Sequence, residues 1–202
     1  MNRGTLFIIS APSGTGKGTI VAQLLASDPS IYFSVSATTR SPREGEVDGV
    51  NYLFISRDEF INLIDNGGML EHAEFCGNFY GTPKKEVDDN LDKGRDVILE
   101  IETVGAAKVM SACPEAVSIF ILPPSLSELR RRLEKRGTDS PEVIERRIAE
   151  ARAEVEMSRN YDFVVVNDDL DEAVDQIKAV MSASKRMSKQ NQDTIEGVLE
   201  KC

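Results

Sequence analysis

The chain has 202 residues, enough for one globular domain with insertions that buries about 70% of its unfolded surface. A hydrophobic content of 41% excludes wholesale disorder, and no apolar run approaches the ~20 residues of a membrane span. A net charge of −10 argues against general nucleic-acid binding, because such proteins carry the opposite sign, so any anionic ligand must be met by locally gathered bases. Leu129–Arg136 is one such place, with five positive side chains and one negative. The N-terminal MNRGTLFIIS is interrupted too soon to read as a secretory signal. Cys76, Cys113 and Cys202 are widely spaced and odd in number, which suits a reducing, cytoplasmic setting and no disulfide or zinc framework. A single histidine, His72, argues against a histidine-based metal site or triad. It reads as an ordinary strand residue.

Short apolar runs alternate with helical patterns. Leu6–Ile9 enters a Gly-rich turn, and a helix follows from about Lys17 to Ala26, stopped near Asp28-Pro29. Later runs at Val97–Ile101, Val117–Leu122 and Phe163–Val166 have the β-branched content and weak alternation of strands buried on both faces, as in a parallel sheet. Helices are expected over Pro83 to about Lys93, Val104–Ser111, Leu126–Arg136 and Pro141 to about Ser158. Ser125-x-x-Glu128 supplies a capping box and Ser140-Pro141 an N-cap with Pro at the first helical position. The alternation predicts an α/β, doubly wound parallel sheet. Residues 34–82 break that rhythm with short alternating strands (Tyr32–Ala37, Asn51–Ile55, Leu70–Phe75) around one helix, capped by Ser56-x-x-Glu59 and ended by Gly67-Gly68. They read as a small mixed insertion. Residues 125–158 read as a second, helical insertion, leaving 1–33, 83–124 and 159–202 as core plus a tail, which after Ser182 is Ser/Lys/Gln-rich and reads as one frayed helix ending in Ile195–Leu199.

Ala11-Pro12-Ser13-Gly14-Thr15-Gly16-Lys17-Gly18-Thr19 lies between the first strand and the first helix, the context a P-loop requires. Glycines let backbone N–H groups turn around phosphate oxygens, the helix N-terminus adds a positive dipole end, and Lys17 adds a point charge. Ala11 stands where the strict pattern has its first Gly, and Gly18 where it has the Ser/Thr whose hydroxyl binds Mg²⁺. The ion would then be held through water, with Thr19 the nearest hydroxyl.

Three further constellations accompany the loop: Ser36-Ala37-Thr38-Thr39-Arg40-Ser41-Pro42-Arg43-Glu44-Gly45-Glu46 followed by Tyr52; Glu71-His72-Ala73-Glu74-Phe75 followed by Gly77–Thr82; and Asn167-Asp168-Asp169-Leu170 after the last strand. With Arg132, Arg136-Gly137 and Arg147, these resemble the guanylate kinase family over about Thr5–Val180. The resemblance implies a P-loop NTPase-type core with a GMP-binding insertion (34–82) and a helical lid (125–158). It implies an ATP-dependent GMP phosphotransferase of purine nucleotide metabolism with Mg²⁺ as cofactor and ATP and GMP as its partners, and no nucleic acid or membrane.

By resemblance Glu71 is the guanine reader. A carboxylate can accept from guanine N1–H and N2–H₂ together, whereas adenine would leave it unpaired. Ser36 and Thr82 lie near the base. Arg40 and Arg43 grip the GMP phosphate with the Tyr52 and Tyr80 hydroxyls, guanidinium forks suiting phosphate geometry. Arg132, Arg136 and Arg147 are lid residues supplying charge to the transferring phosphoryl; the first two, four apart, share a helix face. Their neighbours Arg130, Arg131, Glu134, Glu145, Arg146, Glu150 and Arg152 read as a solvated, salt-bridge-laced surface. Glu102 touches GMP, and Glu100 helps position Mg²⁺ or the acceptor; relatives commonly show Asp-x-Asp here and often Gln where Val104 stands. Asn167 and Asp168 are either adenine-side contacts or a helix cap. The alternatives are a non-catalytic binding module, which tends to lose the phosphate loop and lid arginines kept here, a P-loop kinase with another acceptor, against which Glu71, Ser36, Arg40 and Arg43 speak, and a switch GTPase, whose Asn-Lys-x-Asp element is matched only by Asn167-Asp168-Asp169, without the Lys.

Overall fold

The computed structural model describes residues 3–200, so Cys202 and the end of the tail lie outside the described residues. In chain order the elements are β1 (Leu6–Ser10), α1 (Lys17–Ser27), β2 (Tyr32–Phe33), β3 (Ala37–Thr38), β4 (Leu53–Phe54), α2 (Arg57–Asp65), β5 (Met69–Phe75), β6 (Asn78–Pro83), α3 (Lys84–Asp92), β7 (Val97–Glu100), α4 (Thr103–Ala112), β8 (Val117–Leu122), α5 (Leu126–Arg136), α6 (Pro141–Met157), β9 (Phe163–Val166), α7 (Leu170–Ser184) and α8 (Gln192–Leu199).

Five parallel strands in the order β2-β7-β1-β8-β9 form the main sheet. Alternation along β1 explains why it must be buried on both sides. Phe7 and Ile9 pack with α1 and α7 on one face, while Leu6 and Ile8 pack with α3 and α4 on the other. Each such side chain removed from water contributes about 1.5–3 kcal/mol. Helices thus cover both faces, and the β1–α1 turn opens at the strands' carboxyl ends, where ligands bind in sheets of this kind. The edge strand β9 departs from the expected two-sided burial. Val165 faces inward, but Val164 and Val166 are 47% and 45% exposed, because the apolar helix faces end before this edge.

A second sheet, ordered β4-β3-β6-β5, holds the insertion, with β6 antiparallel to both β3 and β5. Two sequence expectations need correcting here. Tyr32–Ala37 is not one strand: Tyr32 and Phe33 pair with β7 in the main sheet, while Ala37 and Thr38 pair with β6 in the other. The segment therefore carries the chain from one sheet to the next. Asn78–Pro83, read only as a motif, is a strand, made by a two-residue turn at Cys76 and Gly77 with φ of 49° and 75°. Both positive angles are what a tight hairpin turn demands. The expected capping box forms: Ser56 accepts from the Glu59 amide at 3.2 Å and Glu59 reaches back to the Ser56 amide at 2.8 Å. Phe60 of α2 then stacks on Phe79 at 5.3 Å between centroids.

Helices α5 and α6 form the second insertion around a small core of their own, Leu129, Leu133, Ile144 and Ala151. The tail is not one frayed helix. Helix α7 runs to Ser184, a short 3₁₀ turn follows at Ser188–Gln190, and α8 is separate. Gln190 and Lys189 tie the turn to the Glu115 and Ala116 carbonyls at 2.7 and 3.4 Å. Among the described residues no helix is long and apolar enough to cross a membrane.

Candidate active site

The turn from Ala11 to Thr19 wraps one side of a cavity of about 660 Å³. Gly14 and Gly16 have φ of 91° and 96°, in the left-handed region that side-chained residues avoid. Gly16 is also the N-cap of α1, so the helix dipole and its first free amides open at the cavity. The other walls are Glu100 and Glu102 from the end of β7 and the start of α4, Arg132, Leu133 and Arg136 from α5, and Glu154 from α6. Lys17 lies largely buried among them. Its Nζ is 3.7 Å from Glu100 Oε1 and donates to the Ile101 carbonyl at 3.4 Å. Burial lowers its pKa, and the charges of Glu100, Glu102 and Glu154 oppose that shift. Gly18 and Thr19 are exposed at the rim.

Glu154 was missed in the sequence. It lies seven residues after Arg147, two turns along one face of α6, and that spacing was the available signal. It is half-buried, and burial together with Glu102 raises its pKa.

The α5–α6 insertion lies on the Gly-rich turn. A Cβ added at Gly14 would come within 2.7 Å of Leu133 Cδ2. Arg132 donates to Glu128 at 2.8 Å, to the Asn167 carbonyl at 3.0 Å and to the Thr15 carbonyl at 3.4 Å. Hydrogen bonds from Arg131 and Arg132 hold the Glu128 carboxyl down at about 2. Arg147 donates to Ser13 Oγ at 3.0 Å and sits 3.5 Å from Asp139. Arg136 is exposed at the rim. The neighbours expected to be a solvated surface are one: Arg130 pairs with Glu145, Arg131 with Glu128, and Arg146 with Glu150.

Asn167 and Asp168 separate in role. The helix cap belongs to neither, since Asp169 accepts from the Asp171 and Glu172 amides, both at 3.0 Å. Asn167 is buried and donates its amide to the Thr15 carbonyl at 2.7 Å, tethering the phosphate turn. Asp168 is exposed.

The second sheet gathers the other residues. Glu71 on β5 is buried and accepts from Thr82 Oγ1 on β6 at 2.8 Å. Burial pushes its pKa up, while the Thr82 hydrogen bond and the Lys108 charge pull it back. Arg40 makes a two-pronged pair with Glu46 at 2.9 and 3.0 Å and lies over the Tyr52 ring, 5.5 Å from its centroid. Tyr52 meets Tyr80 edge-on at 6.0 Å. Arg43 is exposed, and its backbone amide donates to Glu46 at 2.7 Å, so one carboxylate organises the Arg40–Arg43 loop. Ser36 is half-buried beside β3. Helix α4 links the two regions, because Glu102 at its N-cap lines the phosphate cavity while Gly105, one turn on, lies against Glu71.

Comparison with known proteins agrees in kind. The family model described as guanylate kinase matches residues 3–184. The guanylate kinase of Hahella chejuensis is 54% identical over 185 residues, 92% of this chain and 89% of that one. That of Halalkalibacterium halodurans is 52% identical over 181 residues, covering 90% and 89% of the two chains. The crystal structure of guanylate kinase from Anaplasma phagocytophilum superposes with a TM-score of 0.74 at 38% identity, covering 94% of this chain and 90% of that one. A Gly-rich strand-to-helix turn, a sheet-borne buried carboxylate and a two-helix insertion thus stand together in a chain that matches these proteins over nearly its whole length, and the chain belongs to the guanylate kinase family.

Proposed function

We propose that the chain performs the family's reaction, transfer of the γ-phosphoryl of ATP to GMP to give ADP and GDP, with ATP at the phosphate turn and GMP on the second sheet. The observation that carries the assignment of sites is Glu71, a carboxylate buried beside α4, whose first turn also borders the phosphate cavity. Ionised, it has only acceptors to offer, which suits the paired N1–H and N2–H₂ donors of guanine. Thr82 and Ser36 assist at the base, and Glu102 at the sugar-phosphate side. Arg40, Arg43, Tyr52 and Tyr80 hold the GMP phosphate.

The residues from Ala11 to Thr19 hold the ATP phosphates through backbone amides. Asp168 faces the adenine side, and Asn167 acts through the turn it tethers. Lys17, Arg132, Arg136 and Arg147 neutralise the transferring group. The acceptor oxygen of GMP is already anionic near neutral pH, so no strong general base is needed, and catalysis is positioning plus charge neutralisation.

The residues also suit Mg²⁺. A Cβ at Gly18 would lie 3.9 Å from Glu100 Oε1, which also has Lys17 Nζ at 3.7 Å, so one carboxylate faces the open side of the turn where a hydrated ion could share it. Mg²⁺ keeps several waters and takes one or two carboxylates with substrate phosphates. Glu100, with Thr19 through water, would hold it, and the ion would supply further neutralisation of phosphate charge. A cytoplasmic location accords with the ATP requirement and with the free thiols of Cys76 and Cys113.

The test is ADP formation from Mg²⁺-ATP with GMP, AMP, UMP or CMP as acceptor. GMP-dependent turnover lost in Lys17→Ala, with selectivity eroded in Glu71→Gln, is the expected result. Turnover indifferent to the acceptor, or Glu71→Gln as selective as the parent, would overturn the assignment.

A further inference from the structure

Helix α4 approaches the base-reading carboxylate in a way the reaction so far leaves unused. A Cβ built at Gly105 would fall 3.0 Å from Glu71 Oε2 and 3.3 Å from its Cδ, so the carboxylate rests against the helix backbone and any larger residue there would have to displace it. One turn later Lys108 donates from Nζ to the carbonyl of His72 at 2.6 Å, which anchors its ammonium beside the residue next to Glu71. Among the described residues Lys108 has no acidic partner within ion-pair distance. Its charge is spent on a carbonyl, and its field falls on Glu71.

We propose that α4 supports the guanine reader, Gly105 by giving the Glu71 carboxylate its seat and Lys108, as a positioning residue, by supplying its counter-charge. The proposal rests on the base-reading role of Glu71 given above. The groups facing Glu71 are Thr82 from β6, Gly105 and Lys108 from α4, and His72 beside it on β5. Helix α3 meets β5 at its start, where the Lys84 amide bonds the Gly68 carbonyl at 2.8 Å.

The chemical consequence concerns selectivity. An ionised carboxyl only accepts, and so matches guanine. A protonated one gains a donor, which suits the acceptor N1 of adenine. Burial favours the protonated form, and a nearby cation opposes it. Lys108 therefore extends guanine selectivity to lower pH.

The experiment is the pH profile of kcat/KM for GMP in the parent, Lys108→Met, Lys108→Arg and Glu71→Gln, with AMP as competitor and KM for ATP as control. Lys108→Met should move the acid limb up by about half a pH unit, the size expected of one exposed charge, with less movement at high salt. Lys108→Arg should restore it, KM for ATP should stay put, and Glu71→Gln should remove the part of the limb due to Glu71, leaving only that of the GMP phosphate. Ionisation of the GMP phosphate is common to all four proteins and cancels in the comparison. A Lys108→Met limb superimposed on the parent's, with Glu71→Gln unselective, would overturn the role of Lys108 and leave the base reader standing. Glu71→Gln with full selectivity would overturn both. Gly105→Ala tests the seat separately: KM for GMP should rise about tenfold with KM for ATP unchanged, and an unchanged KM for GMP would refute it.

Discussion

Asn167 offers the sharpest test of how the phosphate turn keeps its shape. Its side-chain amide reaches across 152 residues of sequence to the Thr15 carbonyl at 2.7 Å, and the residue is 6% exposed. In Asn167→Ala that carbonyl keeps only the longer contact from Arg132, at 3.4 Å. A buried carbonyl left short of a partner costs roughly 1–3 kcal/mol. Taking about 2 kcal/mol, Tm should fall by about 4–8 °C for a domain of this size. The turn also loses its set geometry before ATP arrives, so KM for ATP should rise about tenfold, equivalent to ~1.4 kcal/mol, with KM for GMP little changed. Thermal unfolding by circular dichroism and initial rates at saturating GMP read both effects. Arg132→Met supplies a cycle: because both side chains serve one carbonyl, the double variant should cost more than the two single variants added. A Tm within about 1 °C of the parent and an unchanged KM for ATP would show that the tether does not shape the turn.

Three further outcomes follow from the same contacts. Burial holds the Glu71 pKa above its unfolded value, so the native state keeps a proton the unfolded chain has lost, and stability falls as pH rises through that window; Glu71→Gln should raise Tm at pH 8 but not at pH 4, and equal effects at both would refute the linkage. Gly14→Ala meets a φ of 91° and a contact of 2.7 Å to Leu133 Cδ2, so it should cost about 2–4 kcal/mol in denaturant unfolding; a loss below ~1 kcal/mol would mean the lid yields freely. The two insertions should close on the core only with both nucleotides bound, which solution scattering would register as a smaller radius of gyration, while equal radii would exclude closure.

What was legible in the sequence was what is encoded locally. The strand, the Gly-x-Gly-Lys turn and the helix behind it are contiguous, and so are the Ser56–Glu59 box and the two-sided apolar run of β1. Glu71 and Thr82 were named from a family pattern, and the antiparallel pairing of β5 and β6 puts them opposite one another. The illegible parts depend on what arrives from elsewhere in the chain. Asn167 reads locally as an adenine-side contact or a helix cap, but its partner Thr15 lies 152 residues away in the chain, and Asp169 is the cap. Strand β6 carries Gly, Asn and Pro, which argue against a strand until β3 and β5 flank it. Tyr32–Ala37 alternates correctly for a single strand, yet two different sheets claim its ends. Glu154 and Gly105 matter only through the cavity and the carboxylate they meet in three dimensions.

Three of the five arginines assigned to phosphate share one feature that bears on how the enzyme turns over, while Arg43 and Arg136 are exposed. Arg40 is held by Glu46, Arg132 by Glu128 and two backbone carbonyls, and Arg147 by Ser13 beside Asp139. None of these three waits as a bare charge, and the chain as a whole is acidic. At these three a phosphate must therefore exchange with an existing partner rather than simply add to a free cation. Exchange costs more than addition, which lowers affinity for any lone anion, and the cost is offset only by a ligand that also engages the rest of its site. On the proposed assignment GMP does so at Glu71, and ATP along the backbone amides of the turn. Because Arg132 and Arg147 bridge from the lid to that same turn, their exchange also releases the lid from its present seat. On that assignment, occupying the phosphate site and moving the α5–α6 insertion would be one event, leaving water little opportunity to accept the phosphoryl before GMP is in place.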